Sequence, residues 1–368
     1  MQKENLVKIL LTCLLVLVAF GANAKESAEG HGKVDTKEEI KAFIDHHLQD
    51  SHYFTFFSDG ETGEQYGFPL PVILWDSEQG LTMFSASKFH HGETLAEING
   101  QHYKLYHSQI YKTDTEGNFL NGDADHPINP ELIDFSITKN VLTMIFVSVI
   151  LLLVFSKLSR SYKNKDVPVG FGRVLEPLVI YVRDEIAKPN IGPKYEKYVG
   201  FILTIFFFIL LLNLLGMTPL GVNVTGNIAI TFCLAMFTFV IVQFSGNRHY
   251  WTHIFWMPGV PVIMKIVLMP IEILGMFTKP FALMIRLFAN MTAGHVVLMS
   301  LLGLIVVFKS IFAGTAFFAF SLFIGVIELF VALLQAYVFA LLSALYIGMA
   351  VEEHPEHPDD HSNEAPVI

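Results

Sequence analysis

The fold of this chain is decided by one apolar stretch, residues 261–308, which reads PVIMKIVLMPIEILGMFTKPFALMIRLFANMTAGHVVLMSLLGLIVVF. As a single α-helix this stretch would be about 70 Å long at 1.5 Å per residue. The hydrocarbon core of a bilayer is only about 30 Å thick. The stretch therefore predicts a membrane segment that is broken, strongly tilted or partly interfacial, with bends at Pro270 and Pro280.

Four charged residues interrupt this stretch, each seven residues after the previous one: Lys265, Glu272, Lys279 and Arg286. Seven residues advance an α-helix by nearly two turns, so the four charges share one face. A charge at the centre of a membrane costs about 2.5–3.5 kcal/mol on insertion scales, which disfavours a face exposed to lipid. The small residues Gly275, Ala282 and Ala289 run beside the charges and would let another helix approach closely.

A salt-bridge ladder within the helix is one interpretation of this stripe, with Glu272 pairing with Lys265 and Lys279. The ladder does not include a partner for Arg286, because no acid lies within two helical turns of it in the sequence. We therefore expect Arg286 to meet an acid on another helix or another chain, as a functional residue.

The last apolar segment, residues 316–350, carries Glu328 and Gln335, which are also seven residues apart and share a face. Glu328 has no basic neighbour in its own helix, and a contact with His295 would form a protonatable pair. Two other interpretations stay open. His295 could instead bind a backbone carbonyl, and Gln335 and Asn290 could serve only as interhelical hydrogen-bonding groups.

Hydropathy predicts three further spans, at Ile137–Phe155, Phe201–Leu215 and Ile228–Phe244. Residues 169–188 mix polar and apolar positions, which suits a helix on the cytoplasmic surface. The predicted fold class is an all-α polytopic membrane protein with about five membrane helices, two of them long and tilted, and a small α+β exported N-terminal domain.

The composition agrees with a membrane protein, because 52% of the 368 residues are hydrophobic and 16% are charged. Soluble domains carry about 25% charged residues. The net charge of −10 argues against a general nucleic-acid binder. The two cysteines, Cys13 and Cys233, provide no disulfide framework and no cysteine-based metal motif.

The N-terminal third differs from the rest. Residues 1–24 predict a cleaved signal peptide, with an uncleaved anchor as the alternative. Residues 25–134 hold 20 acids against 7 bases and predict the exported domain, which precedes a membrane domain at 135–350 and an acidic cytoplasmic tail at 351–368. The predicted elements of the exported domain are a helix from the capping box Thr36–Glu39 to about Leu48 and strands at Gln65–Trp75, Leu81–Phe89 and Gln101–Lys112.

Nine of the fifteen histidines lie in the exported segment, including the pairs His46-His47 and His90-His91. None has a diagnostic ligand spacing, so we expect no metal site. A metal-binding or sensory module on a membrane anchor is an alternative function, but it leaves the charged stripe unexplained. A stand-alone ion or solute transporter with a periplasmic accessory domain is another, disfavoured because no internal repeat is visible.

Residues 286–295, RLFANMTAGH, closely resemble a motif of subunit a of the F-type ATP synthases. The segments 334–339, LQAYVF, and 213–219, NLLGMTP, resemble two further motifs of that family. The resemblance covers roughly residues 135–354, and its motifs occur in the family's order.

The resemblance implies a role for each polar residue. Arg286 would face the rotating ring of c subunits, favour the ionised form of their carboxylates, and separate two aqueous half-channels. His295, Glu328, Asn290 and Gln335 would belong to the half-channel on the exported side. Glu272 would belong to the cytoplasmic half.

The resemblance also implies an assembly and a location. The chain would be a non-catalytic, proton-translocating subunit that needs no cofactor. Its partners would be the c-ring, b-type peripheral stalk subunits and the lipid bilayer of the bacterial inner membrane. The N-terminal domain would be periplasmic and the C-terminus cytoplasmic. Some relatives carry an acid at the position of His295 and a histidine at that of Glu328, and the reversed order here preserves the proposed pair.

Overall fold

A computed structural model of the chain shows a small β-rich domain followed by long apolar helices. The structure describes residues 41, 44, 48–58, 65–92, 94–120, 122–123, 126–128, 132–164, 172–218, 222–257, 261–308 and 311–352. The predicted signal peptide, the capping box, His46-His47 and most of the acidic tail lie outside these residues.

Short antiparallel strands build the N-terminal domain. Within the described residues they are β1 (Tyr53–Ser58), β2 (Gln65–Pro69), β3 (Pro71–Asp76), β4 (Gly80–Ser85), β5 (Ala96–Ile98), β6 (Gln101–Tyr106), β7 (Gln109–Thr113), β8 (Gly122–Asp123), β9 (His126–Pro127) and β10 (Leu132–Asp134). They form two three-stranded sheets, β10-β3-β4 and β5-β6-β7, and two strand pairs, β1-β2 and β8-β9. The tight turn Asn99-Gly100 joins β5 to β6 with positive φ angles of 51° and 82°, as Asn-Gly hairpin turns require.

All three predicted strands are too long. Gln101–Lys112 divides at the turn His107-Ser108 into β6 and β7. The predicted strand Leu81–Phe89 ends at Ser85, and a 3₁₀ helix, Ala86–Gly92, follows it. Ala86 and Phe89 are fully buried beside Tyr103, and the Tyr53 hydroxyl donates to the Ala86 carbonyl, so this segment turns inward. The predicted strand Gln65–Trp75 divides at Leu70 into β2 and β3.

The rest of the described chain is helical. Its helices are α1 (Lys139–Asn164), α2 (Gly172–Tyr181), α3 (Lys188–Ile191), α4 (Tyr195–Gly216), α5 (Ile228–Ser245), α6 (Arg248–Phe255), α7 (Val262–Phe308) and α8 (Ile311–Val351). Five helical stretches in the described residues are long and apolar enough to cross a membrane. A helix satisfies its own backbone polar groups, as hydrocarbon requires. The predicted fold class is confirmed.

Helix α7 excludes one of the three expected forms of residues 261–308, a broken segment. It is one continuous helix with Pro270 and Pro280 inside it, so the segment is not broken. Each proline removes a single backbone donor, which a long helix in a membrane tolerates. A strong tilt or an interfacial portion stays a prediction. The expected surface segment 169–188 is helical from Gly172 and contains a π-helical turn, Val182–Ala187.

The chain divides into two compact units. The first contains the described residues up to Gly172 together with Phe207–Thr231 and Ile285–Ala336. The second contains Arg173–Phe206, Phe232–Met284 and the chain from Tyr337 onward.

Within the second unit, Gly348 of α8 approaches the carbonyl oxygen of Asn190 so closely that a β-carbon would overlap it. Asn247 completes the C-terminal end of the same helix. Its backbone N–H donates to the Ala350 carbonyl at 2.9 Å and its side-chain amide to the Val351 carbonyl at 3.0 Å. These bonds satisfy carbonyl groups that a helix terminus leaves without a partner.

Candidate functional site

A small cavity lies in the first unit, where α4, α7 and α8 pack together. Its volume is about 10 Å³, which is room for about one water molecule. The polar residues that line it are Asn213, Asn290, Glu328 and Gln335, and the apolar ones are Leu287, Met291, Val331 and Ala332. Glu328 and Gln335 line the same cavity, which confirms that they share a face of their helix.

Hydrogen bonds of amide side chains connect the three helices around this cavity. The Asn290 amide nitrogen donates to Gln335 Oε1 at 2.8 Å, which confirms an interhelical hydrogen bond for both residues. The Asn213 amide nitrogen donates to the Ala332 carbonyl at 3.3 Å, and Asn213 Oδ1 accepts from the Thr225 hydroxyl at 2.9 Å. These hydrogen bonds hold the cavity walls in one arrangement.

Glu328 is the exception among these groups. Its side chain is 5% exposed, and neither carboxylate oxygen has a hydrogen-bond partner in the described part of the chain. Such a group must bind a proton or be hydrated, since an isolated buried carboxylate is very costly. Its carboxyl lies over Gly294 of α7, where a β-carbon would come within 3.1 Å of Glu328 Oε1.

The predicted pair of His295 and Glu328 has no direct hydrogen bond between its two side chains. His295 is buried one residue beyond Gly294, yet it is not a partner of either Glu328 oxygen. The reason is local: Gly294 has no side chain, and the space above its backbone receives the Glu328 carboxyl. His295 instead lies within electrostatic range of Lys139 at the start of α1.

Arg286, unlike Glu328, has an exposed side chain. It lies on the exposed face of α7, together with Ala289 and Ala293, whereas Leu287 and Met291 on the other face are buried. Among the described residues no acid lies within 4 Å of its guanidinium. Arg286 is thus available to an acid of another chain, and the small neighbouring side chains leave room for that approach.

Glu272 lies in the second unit and is half-buried. The salt-bridge ladder considered above is wrong, since neither lysine forms an ion pair with Glu272 in the described residues. Lys265 lies over the Trp256 ring at 4.6 Å from its centroid, and Lys279 over the Tyr346 ring at 5.4 Å. Lys279 also lines a second cavity of about 10 Å³, with Gln243 and Tyr250.

Sequence reasoning assigned no individual role to three residues in or beside the first cavity: Asn213, Thr225 and Gly294. Asn213 is an isolated amide in a long apolar run, and this polarity was the available signal. Thr225 gave none, and Gly294 was noted only within the segment 286–295, because periodicity does not show which residues of neighbouring elements meet. No group of three or more potential metal ligands is found in the described residues.

The fold and the site define a class of protein. It is a multi-pass helical membrane protein with a buried carboxyl group and an exposed arginine on its long apolar helices. The profile of the family described as ATP synthase A chain matches residues 141–348, more than half of the chain. The chain therefore belongs to the ATP synthase subunit a family. A second profile, described only as a domain of unknown function, matches residues 43–135.

Individual relatives agree with this assignment. The ATP synthase subunit a of Chloroherpeton thalassium is 47% identical over 241 residues, which is 63% of this chain and 72% of the relative. That of Myxococcus xanthus is 46% identical over 246 residues, 64% of this chain and 80% of the relative. That of Chlorobium phaeobacteroides strain BS1 is 38% identical over 354 residues, 94% of this chain and 93% of the relative.

Proposed function

We propose that this chain is the stationary subunit a of a rotary ATP synthase and carries protons to and from a ring of c subunits. The observation that carries the proposal is the environment of Arg286, exposed beside Ala289 and Ala293 and without an acid of its own chain in the described residues. A guanidinium keeps its charge at every physiological pH. It would stabilise the ionised carboxylate of each passing c subunit.

The cavity around Glu328 is the proposed half-channel on the exported side. Glu328 is the group that takes up and releases the proton, and Asn290 and Gln335 hold the cavity walls through their hydrogen bond. His295 belongs to the approach to this cavity. Glu272, in the second unit, belongs to the cytoplasmic half-channel. Arg286 prevents a direct leak between the two, so protons ride on the ring and drive its rotation.

The proposed setting follows the same reasoning. The chain is a non-catalytic subunit of the bacterial inner membrane, with its N-terminal domain in the periplasm and its C-terminus in the cytoplasm. Its partners are the c-ring and b-type peripheral stalk subunits. No step of the proposed function uses a cofactor.

The decisive experiment replaces the arginine. Arg286→Ala in the assembled complex should abolish ATP synthesis driven by a proton gradient, because the c-ring carboxylates lose the fixed charge that favours their ionised form. The measurement is acid-bath ATP synthesis in inverted membranes, with the amount of assembled complex quantified alongside. Arg248→Ala, which removes an exposed arginine at the start of α6, is the matched control and should retain synthesis. Normal coupled synthesis in Arg286→Ala membranes would overturn the proposal.

A further inference from the structure

The N-terminal domain is attached to α1 by a hydrogen-bonded joint. The segment between β10 and α1 continues along β3. The Phe135 N–H donates to the Ile73 carbonyl at 2.8 Å, and the Ile137 N–H donates to the Pro71 carbonyl at 3.1 Å. The Lys139 N–H donates to the Ser51 carbonyl at 3.0 Å. These bonds make the domain and the start of the helix one rigid piece rather than two bodies on a flexible linker.

A carboxylate from the domain also caps the helix. Asp50 Oδ1 accepts a hydrogen bond from the Asn140 N–H at 3.2 Å, across ninety positions of sequence. A carboxylate at a helix N-terminus satisfies a free donor there and interacts favourably with the helix dipole. Burial raises the pKa of Asp50, although hydrogen bonds from Thr138 and Asn140 and the charge of Lys139 oppose this.

The charged groups of the joint are few and come from four elements. Asp50 and His52 precede β1, Asp134 ends β10, and Lys139 begins α1. His295 of α7 lies within electrostatic range of Lys139. His52 is fully buried, and its Nε2 lies 3.6 Å from Asp134 Oδ2. Lys139 is therefore within electrostatic range of an acid of the domain on one side and of His295 on the other.

Buried polar atoms connect this joint with the Glu328 cavity. The side chains with a buried polar atom that has no partner in the described residues include Asn140, Asn223, Thr292 and Glu328. α1 packs against the 3₁₀ turn Val224–Gly226, whose Thr225 bonds the cavity residue Asn213. Buried polar groups without a protein partner favour hydration, and these residues lie on elements that link the joint with the cavity. This route is called the track below.

We propose that Asp50 and Lys139 form an electrostatic control at the outer end of this track, through which the N-terminal domain sets how readily protons reach Glu328. The proposal rests on the proposed proton-conducting function. The ammonium group of Lys139 repels an arriving proton, and the carboxylate of Asp50 offsets that charge. Asp50 is a positioning residue in this sense, because it acts through Lys139.

Two substitutions with opposite expected effects test the proposal. Lys139→Met removes the repelling charge, so proton-driven ATP synthesis should reach half of its maximum at an exported-side pH about 0.5 unit higher. Asp50→Asn keeps an oxygen that caps Asn140 but removes a negative charge that offsets Lys139, so the midpoint should move about 0.5 unit lower. In the double variant the two opposite shifts should largely cancel, because both charges are removed.

The measurement is synthesis by the whole complex in proteoliposomes as the pH on the exported side is varied. Lys157→Met, at the other end of α1, and Glu97→Gln, on the exposed face of β5, are the matched controls and should leave the midpoint unchanged. An unchanged midpoint in both test variants, or shifts of the same sign, would overturn this inference while leaving the Arg286 proposal intact. Coupled synthesis in Arg286→Ala membranes would instead remove the proton-conducting function itself.

Discussion

Two buried acids have opposite surroundings: Asp76 in the N-terminal domain and Glu328 in the helical region. Asp76 is completely buried and fully partnered. Its oxygens accept hydrogen bonds from the Glu78 N–H at 3.0 Å and the Tyr103 hydroxyl at 3.2 Å, and Lys112 Nζ lies 3.2 Å away. Glu328 is as deeply buried, yet neither oxygen has a partner in the described residues.

This difference in partners distinguishes an acid that stabilises the fold from one that can exchange a proton. Burial alone would raise the pKa of Asp76, but its hydrogen bonds and the charge of Lys112 outweigh that effect, and the pKa is lowered. Asp76 therefore keeps one charge state and stabilises the fold. Glu328 has no such contacts to fix its charge state, which suits a group that must gain and lose a proton.

The largest expected effect comes from neutralising the unpartnered acid. Glu328→Gln should reduce proton-driven ATP synthesis about tenfold or more, because a general acid–base group contributes at least that much. The complex should assemble in normal amount, since a neutral isostere in this site loses no ion pair. Synthesis and assembly are measured on the same membranes. Synthesis at the level of the parent protein would place Glu328 among the structural acids.

The partnered acid should respond in the reverse way. Asp76→Ala leaves the Tyr103 hydroxyl and much of the Lys112 charge uncompensated, so the free energy of unfolding of the N-terminal domain should fall by about 2 kcal/mol. Proton-driven synthesis should change little. Denaturant unfolding of the purified full chain, followed by Trp75 fluorescence with Trp251 and Trp256 replaced by Phe, gives the first quantity. Glu97→Ala, at an exposed position, is its control.

Acid should weaken the same domain. The pKa of Asp134 is lowered as well, because its contacts with His52 and Ser136 outweigh burial. A lowered folded-state pKa contributes stability that is present above the ordinary value of about 3.9 and is lost as the pH falls through the folded pKa. Asp50, with its raised pKa, contributes in the opposite direction. The unfolding free energy measured below about pH 4 should therefore drop less in Asp76→Asn than in the parent chain. An equal loss of unfolding free energy in both proteins would contradict the lowered pKa of Asp76.

The smallest effect concerns the glycine under the carboxyl of Glu328. Gly294→Ala places a methyl group 3.1 Å from Glu328 Oε1, so the carboxyl must shift by a few tenths of an ångström. We expect about a twofold loss of proton-driven synthesis, since small displacements of reacting groups lower rates. Gly200→Ala, a helical position whose new methyl group meets open space, is the control. Equal activity of the two variants would show that the position of this carboxyl is not critical.

Hydropathy located the helices well because a membrane demands long apolar runs. The observed α5, Ile228–Ser245, differs from its prediction at one residue. The site was harder to predict. The heptad spacing placed Glu328 and Gln335 on one face, but helical periodicity does not say which residue of a neighbouring helix that face meets. The structure places Glu328 over Gly294 rather than against His295, and a residue without a side chain gives no sequence signal for such a contact.

The strand order of the N-terminal domain has a consequence for its biosynthesis. β3 pairs on one side with β4, which follows it directly, and on the other with β10, where Asp76 stands opposite Leu132. The second pairing waits until the ribosome has released nearly the whole first third of the chain. Loop closure over such a distance is entropically costly and slow, so a nascent chain stalled before β10 would expose an unpaired edge of β3. Completion of this sheet is thereby coupled to the emergence of the first membrane helix.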